Sequence, residues 1–133
     1  MHSPEGGPTG KIAASVSNGM VQLLRKHTGR GPTQARTTLA RDQVVILLRD
    51  TLTTAERTLV DAGHPDLVLD GRKTMQSIMR HDAVHMVEDT TGRTVIGFMS
   101  DNHIDPDLGV EVFVTEAVDH EPIEGDGGEL SSP

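Results

Sequence analysis

The sequence has 133 residues, of which 35% are hydrophobic and only 2% aromatic, so we expect one small domain with an aliphatic core. It contains no cysteine, which excludes disulfides, thiolate metal sites and cysteine nucleophiles. The formal net charge is -8, but residues 11–116 hold 12 basic and 14 acidic residues, and no long apolar run occurs. We therefore expect neither a nucleic-acid partner nor direct membrane insertion.

The two ends of the chain lack apolar periodicity. Residues 1–10 are rich in glycine and proline, and residues 117–133 hold five acidic residues and no basic one. Such segments cannot bury enough apolar surface to become ordered. We therefore predict a disordered N-terminus and a disordered acidic tail around a single α+β domain at residues 11–116.

The first predicted element is a helix over Lys11–His27. A largely apolar stripe with three- and four-residue spacing runs along it and consists of Ile12, Val16, Met20, Leu23 and His27. Gly29 follows closely and can adopt the left-handed conformation that often ends helices, and Pro32 prevents continuation.

A pair of strands is predicted next. Thr33–Arg41 alternates small or apolar residues with polar ones, whereas Gln43–Arg49 contains an unbroken apolar run. Such a run is typical of a central strand or of a strand buried on both faces. Only Asp42 separates the two segments, so we expect a tight hairpin.

Two helices are predicted after the hairpin. Thr53 and Glu56 have the spacing of a capping box, which predicts a helix over Thr53–Ala62. Pro65 suits the first turn of a longer helix that runs to Asp89.

Two more strands, Arg93–Ser100 and Leu108–Thr115, complete the pattern. In the last strand Glu111 faces away from a set of alternating aliphatic residues, namely Leu108, Val110, Val112 and Val114. The order α-β-β-α-α-β-β predicts an α+β fold in which helices pack on one face of a four-stranded antiparallel sheet.

The polar loop between these strands is one candidate site. Its candidate ligands for a hard cation are Asp101, Asn102, His103, Asp105 and Asp107. It is not an EF-hand, because Pro106 stands where that loop needs glycine. The alternative is a polar turn whose side chains bond to the nearby backbone.

His81 and His85 form a second candidate metal site, because they lie four residues apart on the long helix. Glu88 is three residues further on and would share their face. The residue after His81 is Asp82, whereas zinc peptidases use a glutamate there as the base. The alternative is a polar helix flank with no metal.

The glycine-rich connection after the first helix is a candidate anion site. The backbone amides of Gly29 and Gly31, with the guanidinium groups of Arg30 and Arg36, could bind a small anion. The alternative is an ordinary helix stop whose basic residues complement the negative end of the helix dipole. The spacing matches neither the phosphate-binding loop nor a dinucleotide fingerprint.

Three separated segments together resemble one family. They are residues 27–36 (HTGRGPTQAR), residues 50–56 (DTLTTAE) and residues 99–107 (MSDNHIDPD). In this order they are similar to the bacterial MpsC-like family, formerly a domain of unknown function, and the resemblance covers about residues 11–116.

The family is named after a component of a sodium-translocating, membrane-potential-generating system, and related partner proteins are associated with cation and inorganic-carbon uptake. The resemblance therefore implies a soluble, non-catalytic accessory or regulatory subunit of a membrane transport complex. It implies no cofactor and transfers no catalytic residue. Because the sequence shows neither a secretory signal nor an apolar run long enough to cross a membrane, we expect a cytoplasmic protein that a protein partner could hold at the membrane.

Two alternative functions remain open at this stage. One is a small-anion sensor at Arg30 and Arg36, for bicarbonate or a phosphate-bearing ligand. The other is a metal-dependent enzyme centred on Asp101, His103 and Asp105. Because the strands are aliphatic enough to pair between copies, we also expect a homo-oligomer, most simply a dimer.

Overall fold

The computed structural model describes residues 8–118, and the predicted disorder of residues 1–7 and 119–133 lies outside this range. Within it the elements follow one another in the predicted order. The helices are α1 (Pro8–Thr28), α2 (Thr54–Asp61) and α3 (Pro65–Thr91). The strands are β1 (Gln34–Ala40), β2 (Gln43–Arg49), β3 (Val95–His103) and β4 (Leu108–Thr115).

The predicted α+β class and the four-stranded antiparallel sheet are confirmed. Most predicted element boundaries differ from the observed ones by one or two residues, and the two largest differences lie at the start of α1 and at the end of β3. Helix α1 begins at Pro8, so residues 8–10 are helical and Gly10 is buried, because proline is well suited to a first helical turn. Strand β3 lies later than Arg93–Ser100 and extends to His103, because it stays paired with β4 up to Leu108.

The strand order is β1-β2-β4-β3, which puts the two most aliphatic strands in the centre of the sheet. All three neighbouring pairs are antiparallel. Because paired residues share a face, the register divides the sheet into a covered face under the helices and an open face. The covered face includes Leu39, Val44, Ile46, Leu48, Glu111 and Phe113, all of them buried.

The core lies between the covered face and helices α1 and α3. Helix α1 contributes Val16 and Met20, and the buried core residues of α3 are Met79, Ala83 and Val87. Gly19 lets the two helices approach closely, because a Cβ built there would lie 2.8 Å from the Cγ atom of Met86. The apolar stripes of the sequence therefore become one contiguous aliphatic core.

Local signals fix the ends of α2 and α3. The predicted capping box is present: the Thr53 hydroxyl accepts from the Glu56 amide at 3.1 Å, and the Glu56 carboxylate accepts from the Thr53 amide at 2.9 Å. Gly92 ends α3 with φ of 72°, a left-handed conformation that glycine adopts without steric cost.

Candidate functional site

A cavity of about 400 Å³ lies between α1, α3 and the covered face of the sheet. Its apolar wall comes from all three elements and includes Met20, Leu24, Met75, Met79 and Phe98. Its polar lining includes Glu111 and Asn102 from the sheet and Arg72 from α3. Pockets that combine a mostly apolar wall with a few polar groups are typical ligand sites.

Glu111 is the one acidic residue among the buried side chains of residues 8–118, with 4% of its surface exposed. Strand β4 places it there because its neighbours Val110 and Val112 occupy the open face. Burial raises the pKa of the Glu111 carboxyl to about 7, although Ser100 and Arg72 act in the opposite direction. The carboxyl therefore exchanges a proton close to neutral pH.

Ser100 lies directly opposite Glu111 in the β3–β4 register. Its hydroxyl oxygen is buried and has no hydrogen-bond partner of full geometry within the described residues, yet it lies near enough to the Glu111 carboxyl to lower the pKa of that group. A hydroxyl can rotate to donate to a neighbouring carboxylate or to accept from a protonated carboxyl. Ser100 and Glu111 thus place a hydroxyl and a carboxyl side by side on the covered face.

Arg72 organises the polar side of the cavity. Its guanidinium donates five hydrogen bonds: to both Glu56 carboxylate oxygens at 2.7 and 2.9 Å, to the Thr51 hydroxyl and carbonyl at 2.8 and 2.9 Å, and to Asn102 Oδ1 at 3.0 Å. These bonds use every N–H that an arginine side chain has. Arg72 therefore joins α2, α3 and β3 and keeps no donor for an anion.

Glu56 is the acidic partner of Arg72 and also closes the capping box of α2. Burial by itself would raise the pKa of this carboxyl, but the hydrogen bonds from Arg72 and from the Thr53 amide outweigh burial and lower it. Glu56 therefore stays ionised near neutral pH, whereas Glu111 sits close to its titration midpoint.

A second network joins the predicted anion loop and the predicted polar loop. Arg30 donates to Asp50 Oδ2 at 2.9 Å, and Arg57 bridges Asp50 Oδ1 at 2.7 Å and Asp107 Oδ2 at 3.3 Å. The hydrogen bond from Arg30 is the main cause of a lowered Asp50 pKa. Both loops therefore lie at the same end of the sheet, linked through the β2–α2 connection.

The residues of the predicted anion site are not gathered around one point. Arg30 is engaged by Asp50 and also donates to the carbonyls of Asp50 and Leu52 at 2.7 and 3.3 Å. Arg36 is exposed on the open face of β1, whereas the cavity lies under the covered face. Gly29 has φ of 82°, as a helix-ending glycine does, and Gly31 packs against Val21 of α1.

The polar loop divides into inward and outward groups. Asn102 accepts from Arg72, while Asp107 accepts from the Thr51 hydroxyl and the Leu52 amide, each at 2.9 Å. Asp101, His103 and Asp105 are exposed, and the His103 ring bonds to the Pro106 carbonyl at 2.7 Å. The inward side chains thus bond to distant segments of the chain, whereas His103 bonds to the nearby backbone, and a cation site at this loop stays a prediction.

The candidate metal ligands on α3 remain separate from the cavity. His81 and His85 are both exposed, with ring centroids 4.3 Å apart. Glu88 does not join them, because its carboxylate accepts from the Val95 amide at 2.9 Å. Across residues 8–118, no three His, Asp or Glu side chains gather into a metal-ligand group.

His27 is a cavity residue that lay inside a recognised motif but was not singled out as a site. Its Nε2 atom is buried without a hydrogen-bond partner in the described part of the chain, and the nearest carboxylate oxygen, of Asp82, is 3.5 Å away. Arg72 and Glu111 were not predicted as site residues from the sequence either. The signal for Glu111 was an acid in an otherwise aliphatic strand, whereas Arg72 gave none.

The fold and the cavity define a small α+β protein that covers one face of an antiparallel sheet with helices and keeps an ionisable carboxyl beneath them. The sequence profile described as "Na+-translocating membrane potential-generating system (MpsC)" matches residues 8–117, and the chain belongs to this family. Neither a curated protein nor a solved structure matches the chain. Within residues 8–118, no helix is both long and apolar enough to cross a bilayer.

Proposed function

We propose that this chain is a non-catalytic accessory or regulatory subunit of a membrane system that translocates sodium or a related cation, and that a protein partner holds it there. The observation that carries the proposal is the family match, because it extends over every helix and strand from Pro8 to Thr115. The whole fold, rather than one motif, is therefore what the family has in common with this chain.

The cavity supports a regulatory role. Its wall is largely apolar, and the guanidinium of Arg72 is fully used in holding three elements together. An arginine whose five N–H groups are all engaged by the protein stabilises the structure and has no free donor for a ligand. The arrangement is suited to binding and to responding to pH, since Glu111 titrates near neutrality.

A second candidate function is a small-ligand sensor, and the position of Glu111 favours it. A carboxyl that is partly ionised at neutral pH and lies beside an apolar wall suits a ligand with a hydrogen-bond donor or a cationic group. The anion site at Gly29, Arg30, Gly31 and Arg36 stays a prediction. An anion there would compete with Asp50 for Arg30.

The proposal is tested in cells of the source organism from which the gene for this chain has been deleted. We expect the sodium-dependent part of the membrane potential to fall and to return when the wild-type chain is supplied. A sodium-dependent potential that is unchanged by the deletion would contradict the proposal.

A further inference from the structure

The open face of the sheet is an array of side chains from all four strands. Its centre is aliphatic, because Val45 and Leu47 of β2 lie beside Val112 and Val110 of β4 in the register. None of these side chains is fully buried, and Met99 on β3 is 58% exposed. A contiguous apolar face of this kind marks an interaction surface.

Opposite charges stand at the two edges of this array, on one row of the register. The row runs from Arg36 on β1 through Leu47 and Val110 to Asp101 on β3. Three interstrand spacings separate the two charged residues, about 14 Å, which is too far for an ion pair within one chain. Neither residue forms an ion pair with any other residue between 8 and 118.

We propose that the open face is the interface of a symmetric homodimer, in which two sheets pack face to face about a two-fold axis parallel to the strands. This rotation places β1 of one copy over β3 of the other. It also keeps each row at the same position along the strand direction. Arg36 of each copy then faces Asp101 of the other, so two ion pairs close the two edges of the interface.

The same rotation matches the aliphatic centre. Leu47 lies over Val110 of the second copy, and Val45 lies over Val112. Packed sheets are about 10 Å apart, a gap that interdigitating aliphatic side chains fill and that an extended arginine spans to reach a carboxylate.

The charges select this axis over the alternative. A two-fold axis across the strands would put β1 over β1 and β3 over β3, bringing like charges together at both edges, which costs free energy. A second copy also fits this face better than a strongly charged partner does. Residues 11–116 have 12 basic and 14 acidic residues, so the folded parts of two copies repel each other little.

The size of the face sets the expected strength of the dimer. Four strands spaced by about 4.8 Å and paired over some seven residues give a footprint of roughly 450 Å² per copy, or about 900 Å² in total, which is below the standard size and in the range of weak, transient interfaces. We therefore expect a reversible dimer whose population depends on concentration and decreases with added salt.

Sedimentation equilibrium of the full chain tests the interface. We expect the wild type to dimerise and Arg36→Asp and Asp101→Arg each to weaken dimerisation by about tenfold or more, because each places like charges opposite each other. The double variant Arg36→Asp/Asp101→Arg exchanges the two charges and should restore the wild-type dissociation constant to within about threefold.

Matched controls carry the same charge changes in exposed turns outside the array. Arg41→Asp in the β1–β2 turn and Asp105→Arg in the β3–β4 turn should leave the dissociation constant unchanged, and circular dichroism should show every variant folded. A wild type that stays monomeric at millimolar concentration would overturn the proposal. So would a dimer insensitive to both single changes, a double variant without recovery, or a monomer that uses this face to bind a membrane or a different protein.

Discussion

At the scale of single residues, the carboxyl of Glu111 couples stability to pH. Burial raises its pKa from 4.5 to about 7, so between these values the folded chain holds a proton that the unfolded chain releases. The contribution of this group to stability is therefore greatest at low pH and falls as pH rises through this window. Above it, burying the charge costs on the order of 3 kcal/mol.

Replacing Glu111 with glutamine isolates this effect, because glutamine keeps the shape and the hydrogen-bonding capacity but does not ionise. We expect the Glu111→Gln variant to gain on the order of 3 kcal/mol in free energy of unfolding relative to wild type between about pH 5 and pH 8. Urea denaturation across this range measures the difference.

The exposed residue Glu116 provides the control for this experiment. The Glu116→Gln variant should follow the wild-type dependence of unfolding free energy on pH, because an exposed side chain stays hydrated in the folded state. Parallel curves for wild type and Glu111→Gln over the whole range would show that Glu111 is not held in the buried environment described above.

Arg72 makes the second prediction at this scale. Truncation to alanine removes five hydrogen bonds and leaves the partly buried Glu56 without its guanidinium partner. We expect Arg72→Ala to lower the free energy of unfolding by about 2–4 kcal/mol, with little recovery in Arg72→Lys, since lysine does not reproduce the planar fork.

Lys73 is the adjacent control, because it is exposed on the same helix. Lys73→Ala should change the free energy of unfolding by less than about 0.5 kcal/mol. If thermal or urea unfolding gives similar losses for both alanine variants, the hydrogen-bond network of Arg72 is not a determinant of stability.

Residue-level features were the hardest to predict from sequence. The capping pair Thr53 and Glu56 was identified because its signal is local and has a fixed spacing. The roles of Arg72 and Glu111 depend on which strand lies beside which helix, and no local pattern carries that information. Asp107, a candidate cation ligand, accepts hydrogen bonds from the β2–α2 connection, more than fifty residues away in sequence, and no local pattern indicated this contact.

At the scale of elements, the capping box sets where α2 begins. Thr53→Ala removes the acceptor for the Glu56 amide, and we expect a loss of about 1 kcal/mol in the free energy of unfolding. Thr58→Ala removes the same atoms from an exposed position inside the same helix, where alanine is the better helix former, and should be neutral or slightly stabilising. Equal losses in urea denaturation would contradict the capping role.

Element types followed from periodicity, and the residual errors have physical causes. Strands β2 and β4 were predicted with their observed boundaries because both are rich in aliphatic residues and are bounded by polar ones. Strand β3 was predicted too early, since its polar end, through Asp101 and Asn102 to His103, is held by pairing with β4 and not by its own composition. The start of α1 was missed because Pro8 and Gly10 are poor helix formers outside a first turn.

At the scale of the whole molecule, the strand order could not be predicted from the sequence. Placing β4 between β2 and β3 brings Glu111 under the helices and puts the Arg30 loop and the Asp107 loop at one end of the sheet. It also collects the aliphatic residues of two central strands on the open face. The cavity, the loop network and the proposed dimer interface all depend on this order.

The most direct test of the proposed function is the sodium-dependent membrane potential of source cells that lack the chain, measured with a potential-sensitive dye with and without external sodium. We predict that deletion lowers the sodium-dependent component and that wild type and Lys73→Ala restore it. The destabilised Arg72→Ala chain should restore it less well, in proportion to its folded amount. A sodium-dependent potential that is the same with and without the chain would contradict the account.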